Sequence, residues 1–93
     1  MRIIKNFTPV NEYVSDTMAL ILRLEKRKMP LQVKHIFEHA ERGLAKMYIP
    51  AIVFSELAYL SEKNRIDTSL DEAEAYLKKH KLIKEYPLSL AIV

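Results

Sequence analysis

A chain of 93 residues with 49% hydrophobic content makes one small globular domain, and that composition excludes a disordered chain. The absence of cysteine excludes disulfides and thiolate metal sites, while a formal charge of +3 and a pI near 9.2 allow a nucleic-acid partner without demanding one. The longest clean apolar run, Met18–Leu22, is far too short to cross a bilayer and no signal-peptide pattern is present, so a soluble, cytoplasmic protein with no membrane partner is expected.

In chain order, residues 1–10 read as an N-terminal extension. Pro9 discourages a continuous strand from Ile3-Ile4 into Tyr13, because proline cannot donate to a sheet ladder. Residues 12–16 are the first predicted strand, short and buried. A helix follows over Thr17–Arg27, with Leu20, Ile21 and Leu24 at helical spacing and Lys26-Arg27-Lys28 at the end where the helix dipole favours cations. Met29-Pro30 breaks it. The next helix, Leu31–Arg42, is the most clearly amphipathic: Val33, Ile36, Phe37, Ala40 and Leu44 form one stripe, and Gly43 sits where a left-handed residue ends a helix.

Lys46–Ile49 is a second short strand, closed by Pro50. Ala51–Lys63 is apolar at Ile52, Val53, Phe54, Leu57, Ala58 and Leu60, and its length predicts a helix with Asn64 as its C-cap. Ser69 opens a fourth helix with Glu72 three residues on, a capping-box pattern, and Leu70, Ala73 and Leu77 supply its buried face. Lys81–Tyr86 is a third strand, stopped by Pro87, and Leu88–Val93 begins a further apolar element. Strands alternating with helices predict an α/β fold with a short parallel sheet.

Two acidic residues carry the chemistry. Asp16 ends the first strand and Glu56 follows the second, so in a parallel sheet both belong to the edge at the carboxyl ends of the strands, where such folds place their sites. Asp16 also suits a helix N-cap. Glu56 lies in Ile52-Val53-Phe54-Ser55-Glu56-Leu57-Ala58-Tyr59-Leu60, the most apolar stretch of the chain. It is read as wedged among side chains that should be buried, where an ionised carboxylate needs a cation or a partner. Two converging carboxylates can hold a hard divalent cation through oxygen, and such an ion activates water and stabilises charge on a phosphodiester.

The stretches Tyr13-Val14-Ser15-Asp16-Thr17-Met18-Ala19-Leu20 and Tyr48-Ile49-Pro50-Ala51-Ile52-Val53-Phe54-Ser55-Glu56-Leu57-Ala58-Tyr59-Leu60 resemble the first two acid motifs of PIN-domain proteins, which include the VapC-type toxin ribonucleases. The resemblance covers residues 11–93. It implies a Rossmann-like three-layer sandwich and a metal-dependent endoribonuclease acting on RNA, with Asp16 and Glu56 as ligands of Mg²⁺ or Mn²⁺ and Thr17 as the accompanying hydroxyl. An antitoxin protein and a homodimer are the partners it implies. The family's remaining acids belong to a segment beyond Val93, so the resemblance also implies a domain truncated after its third strand and weak or absent activity for this chain alone. The strand at 12–16 is then expected to have an open edge, which either pairs a second copy or is covered by residues 1–10. A catalytically dead interaction module and a small basic nucleic-acid-binding domain are the alternatives.

Weaker candidates remain. Lys26-Arg27-Lys28 and Lys78-Lys79-His80-Lys81 suit phosphates or simply solvated helix ends. His35 and His39 have the i, i+4 spacing of a zinc pair, but no acid nearby completes it. Asp67, Asp71, Glu72 and Glu74 fall around a turn and a helix start.

Overall fold

Three of the four helices among the described residues end in the same way, and this sets the short connections between elements. The computed structural model describes residues 3–5 in their backbone and residues 11–87 in full. The elements are β1 (Ile3–Lys5), β2 (Glu12–Ser15), α1 (Thr17–Leu24), α2 (Leu31–Glu41), β3 (Lys46–Pro50), α3 (Ala51–Glu62), α4 (Leu70–Lys79) and β4 (Ile83–Tyr86). The apolar element expected at Leu88–Val93 lies outside the described residues.

After α1, α2 and α3 the chain turns through a left-handed residue: Lys26 at φ 55°, Gly43 at φ 78° and Asn64 at φ 58°. In each case the next amide reaches back over the last turn, Arg27 to Leu22, Leu44 to His39 and Arg65 to Leu60, all at 2.9 Å. These are Schellman closures, which satisfy carbonyls that a helix end leaves open. Gly43 and Asn64 stand where the sequence predicts helix ends. Lys26 does not, and α1 accordingly stops at Leu24 rather than running to Arg27. Ser69 caps α4 as expected, its hydroxyl accepting the Glu72 amide at 3.2 Å.

The sheet runs β1-β2-β3-β4, with β2, β3 and β4 parallel. Two crossovers that step in one direction with the usual right hand put their helices on one face. All four helices accordingly feed one core: Ala19, Leu20 and Ile21, then Phe37 and Ala40, Val53 and Leu57, and Ala73, packed on Met47, Ile49 and Ile83 of the sheet. The register aligns Met47 with Ile83, so one face of the sheet is buried. Tyr48 and Tyr86 alternate onto the other face and meet edge to face at 5.8 Å. The described residues thus form two layers; the third layer that the resemblance implies is not formed among them.

Residues 3–5 do more than extend the chain. Ile3–Lys5 pairs antiparallel with β2, Ile3 opposite Ser15 and Lys5 opposite Tyr13. This was the second of the two expectations for the open edge of β2, and along these three residues it makes a mixed sheet of four strands. No helix among the described residues is long and apolar enough to cross a membrane.

Candidate functional site

Asp16 is held in place by its own strand and helix. Ser15, fully buried, donates its hydroxyl to the Asp16 carbonyl at 2.9 Å, and the extended backbone of Asp16 (φ −90°, ψ 177°) turns its carboxylate onto α1. Oδ1 accepts the Ala19 amide at 2.9 Å, so Asp16 is the N-cap of α1. Its Oδ2 makes no hydrogen bond among the described residues and is left for other work.

Thr17, the first residue of α1, joins the two motifs. Its Oγ1 donates to Glu56 Oε1 at 2.5 Å, tying the β2–α1 turn to α3. Asp16, Thr17 and Glu56 therefore meet at the carboxyl end of the parallel strands, as the sequence places them. One part of that reading is corrected. Glu56 is exposed rather than wedged in the core, because Val53 and Leu57 take the inner face of α3 while Ile52, Glu56 and Tyr59 take the outer one. Ile52 and Tyr59 are 47% and 53% exposed. At about 100° per residue, a continuous apolar run still presents only part of itself to a core. The Glu56 carboxylate is thus solvated and engaged by a hydroxyl, and no buried cation is required to explain it.

The chemistry of the donor set is that of a hard cation: two carboxylates with one oxygen each to spare, beside a hydroxyl. Among the described residues, no group of three or more His, Cys, Asp or Glu side chains could hold a metal ion. Magnesium is often held by one or two carboxylates with water and substrate phosphate completing its shell, the least that a carboxylate pair can offer. His35 and His39 are both exposed on α2 and gain no third ligand. Asp71 and Glu72 occupy the first turn of α4, where they suit the helix dipole.

A second polar cluster, at the far end of α1, was not found from the sequence. Arg23 grips Glu41 of α2 with two bonds, Nε to Oε2 at 2.8 Å and Nη2 to Oε1 at 2.6 Å, and the Tyr76 hydroxyl of α4 donates to the same Oε2. His80 packs its ring against Tyr76 at 4.8 Å. Burial opposes the charge on Glu41, but the bonds from Arg23 and Tyr76, helped by the charges of Arg23 and His80, outweigh it and hold the carboxyl below the ordinary carboxylate value. Burial and the Glu41 carboxylate together push the Tyr76 phenol well up. Beside this cluster, Glu25 Oε2 accepts the amides of Asp67 and Thr68 and the buried Thr68 hydroxyl, at 2.9, 3.0 and 2.8 Å. Desolvation works against ionisation there too, and it is outweighed by the Thr68 hydroxyl, by the two amides and by Arg27, so the Glu25 carboxyl is lowered.

One signal for this cluster was available. Tyr76 stands three residues after Ala73 on the buried stripe of α4, and a phenol on such a face needs a partner. Nothing in the sequence pairs it with Glu41 or Arg23, which come from two other helices.

Compared with family models, with curated proteins and with solved structures, the chain matches none.

Proposed function

We propose that this chain is a PIN-like, RNA-directed domain whose carboxyl edge, Asp16 with Glu56, forms a two-carboxylate site for Mg²⁺ or Mn²⁺. The observation that carries this reading is the Thr17–Glu56 hydrogen bond of 2.5 Å, which joins two motifs that lie on separate strand–helix units. The α/β frame with its parallel β2, β3 and β4 supports it. A PIN-type sandwich with a third layer belongs to the same reading.

Within the site, Asp16 anchors itself through Oδ1 on α1 and keeps Oδ2 out of that cap. Thr17 holds Glu56 through Oε1, which leaves Oε2 available to a cation. A hard cation held there supplies activated water and charge neutralisation on a phosphodiester. Two carboxylates hold such a cation weakly, so ribonuclease activity of this chain by itself is low or absent. An antitoxin-like partner remains part of the proposal. A homodimer does too, although β1 now occupies the side of β2 on which the dimer argument rested.

The second reading, a PIN-like interaction module without catalysis, is favoured by a specific fact: one oxygen of each acid already serves the fold, as a helix cap and as a hydroxyl acceptor. Calorimetric titration of Mn²⁺ separates the two. The wild-type chain should bind with a dissociation constant on the order of millimolar, as expected for two carboxylates with water completing the shell, and Asp16→Asn and Glu56→Gln should abolish the heat. No binding by the wild-type chain would leave the interaction module as the reading.

A further inference from the structure

The two basic runs that look like separate solvated helix ends in the sequence are brought together by the fold. Lys26, Arg27 and Lys28 from the end of α1, Lys34 from α2, and Lys79 and His80 from the end of α4 line one open cavity of about 890 Å³. It lies at the end of α1 opposite the acid pair, one helix length of about 12 Å away.

Its charge is one-sided. Glu41 is the one carboxylate in the wall, and Arg23 and Tyr76 have already taken it. Arg27 has a partner in Glu25 at 3.6 Å, whereas Lys26, Lys28, Lys34 and Lys79 form no ion pair among the described residues. Four uncompensated ammonium groups, two from the α1–α2 turn and one each from α2 and α4, repel one another, and a polyanion relieves that repulsion.

Lys26 adds an independent observation. It occupies the left-handed position closing α1, where α2 has Gly43 and α3 has Asn64. A lysine there carries a conformational cost of about 1 kcal/mol that glycine does not. Strain of this kind is tolerated where the side chain is needed, and here it sets an ammonium on the cavity rim.

We infer that this cavity binds the backbone of single-stranded RNA without reading its sequence. This rests on the RNA-directed reading above and adds where the strand is held. The cavity is too large for one phosphate, and its cations are spread over three elements, so successive phosphates of a chain are what match it. The free cations are lysines, which act as point charges rather than forks. Of the two guanidiniums in the wall, Arg23 has its fork closed on Glu41, and Arg27 is turned to Glu25 at 3.6 Å. Leu22, Leu24 and Met29 give the cavity an apolar lining against which sugars and base faces can lie.

The test uses a fluorescein-labelled uridine 12-mer and a mixed-sequence 12-mer, with binding followed by anisotropy from low to moderate salt. Four phosphate contacts on a single strand predict a log–log salt slope of roughly −3 for the wild-type chain, equal for the two RNAs. The variant carrying Lys26→Gln, Lys28→Gln, Lys34→Gln and Lys79→Gln replaces exposed side chains, so its helix content by circular dichroism should match the wild-type chain. Its slope should fall to near zero, with affinity at least about tenfold weaker near 0.1 M salt. A control with Lys63→Gln and Lys84→Gln, outside the cavity, should keep the wild-type slope. Three results overturn the inference: an unchanged slope in the fourfold variant, a loss in the control proportional to the charge removed, or competition by a poly-glutamate 12-mer equal to that by RNA. Failure of the carboxyl-edge reading looks different, since it appears as absent Mn²⁺ heat while RNA still binds the cavity.

Discussion

The two ends of α1 use carboxylates in opposite ways. At its start, Asp16 and Glu56 each give one oxygen to the fold and keep the other in solvent. Around its end, Glu25 and Glu41 are consumed by five hydrogen-bond donors from α1, α4 and the loop before it, namely Arg23, Tyr76, the Thr68 hydroxyl and the amides of Asp67 and Thr68. Where acids are spent on structure, lysines around them form no ion pair among the described residues. The outcome is a molecule with an acidic edge and a basic cavity joined by one eight-residue helix. Glu25 and Glu41 are thus structural acids, while Asp16 and Glu56 each keep one oxygen out of the fold's own hydrogen bonds.

The largest effect should come from breaking the structural end. Glu41→Ala leaves Arg23 and the Tyr76 hydroxyl without their acceptor in a setting where their side chains are mostly covered, and removing one partner of such a pair costs about 3 kcal/mol. For a domain of this length that is roughly 15 °C in Tm by calorimetry or thermal circular dichroism. Glu56→Ala, an exposed acid at the other end, should move stability by no more than about 0.5 kcal/mol. The same contrast has a pH signature. Folding lowers the carboxyl pKa of Glu25 and Glu41, so the unfolded chain binds more protons between the folded and unfolded values. Their contribution is fully present above the unfolded value of about 4.3 and is lost as pH falls through the folded one. Stability of the wild-type chain should therefore drop steeply below about pH 4.5, and Glu41→Gln should flatten that drop.

The difference between the two ends also marks what could be read from the sequence. The carboxyl edge was legible because it is local: Asp16 and Glu56 each follow their own strand, and parallel strands bring such positions together without any knowledge of packing. The alternation of strands and helices, Gly43 as a helix end and the Ser69 cap were legible for the same reason. The Arg23–Glu41–Tyr76 cluster was not, since it joins three helices whose relative rotation is decided only by the core. Glu56 was misjudged because apolar content was taken for burial, when Val53 and Leu57 alone fill the inner face of α3. Ile3–Lys5 was missed as a strand because three residues carry no periodicity to see, and its ladder among the described residues depends on β2.

The acidic edge yields a smaller effect that sorts its two roles. Asp16→Ala removes the acceptor of the Ala19 amide and should cost about 1 kcal/mol, the usual worth of a cap. Asp16→Asn keeps the cap and should leave stability unchanged within about 0.3 kcal/mol, because Asn and Asp cap equally well. Measured by urea unfolding beside the Mn²⁺ titration, the pair separates fold from ligand. If Asn restores stability but not the metal heat, the carboxylate charge serves the cation and not the helix.

The smallest effect probes the basic end through the backbone. Gly43→Ala forces a side chain into the left-handed position closing α2, where the new Cβ meets only Leu82 Cδ1 at 3.9 Å, an ordinary contact. Its cost of about 1 kcal/mol is therefore conformational rather than steric against neighbours. Lys26→Gly is the reverse change at the equivalent position of α1. Relief of a similar strain is partly offset by the greater freedom glycine brings to the unfolded chain, which leaves a net stabilisation of roughly 0.5 kcal/mol. A chain that becomes more stable by urea unfolding and binds RNA more weakly would show that Lys26 stands at that turn for its charge. A chain that loses stability would mean that the lysine's favourable position at the negative end of the helix outweighs its strain, and the turn would then need no ligand to account for it.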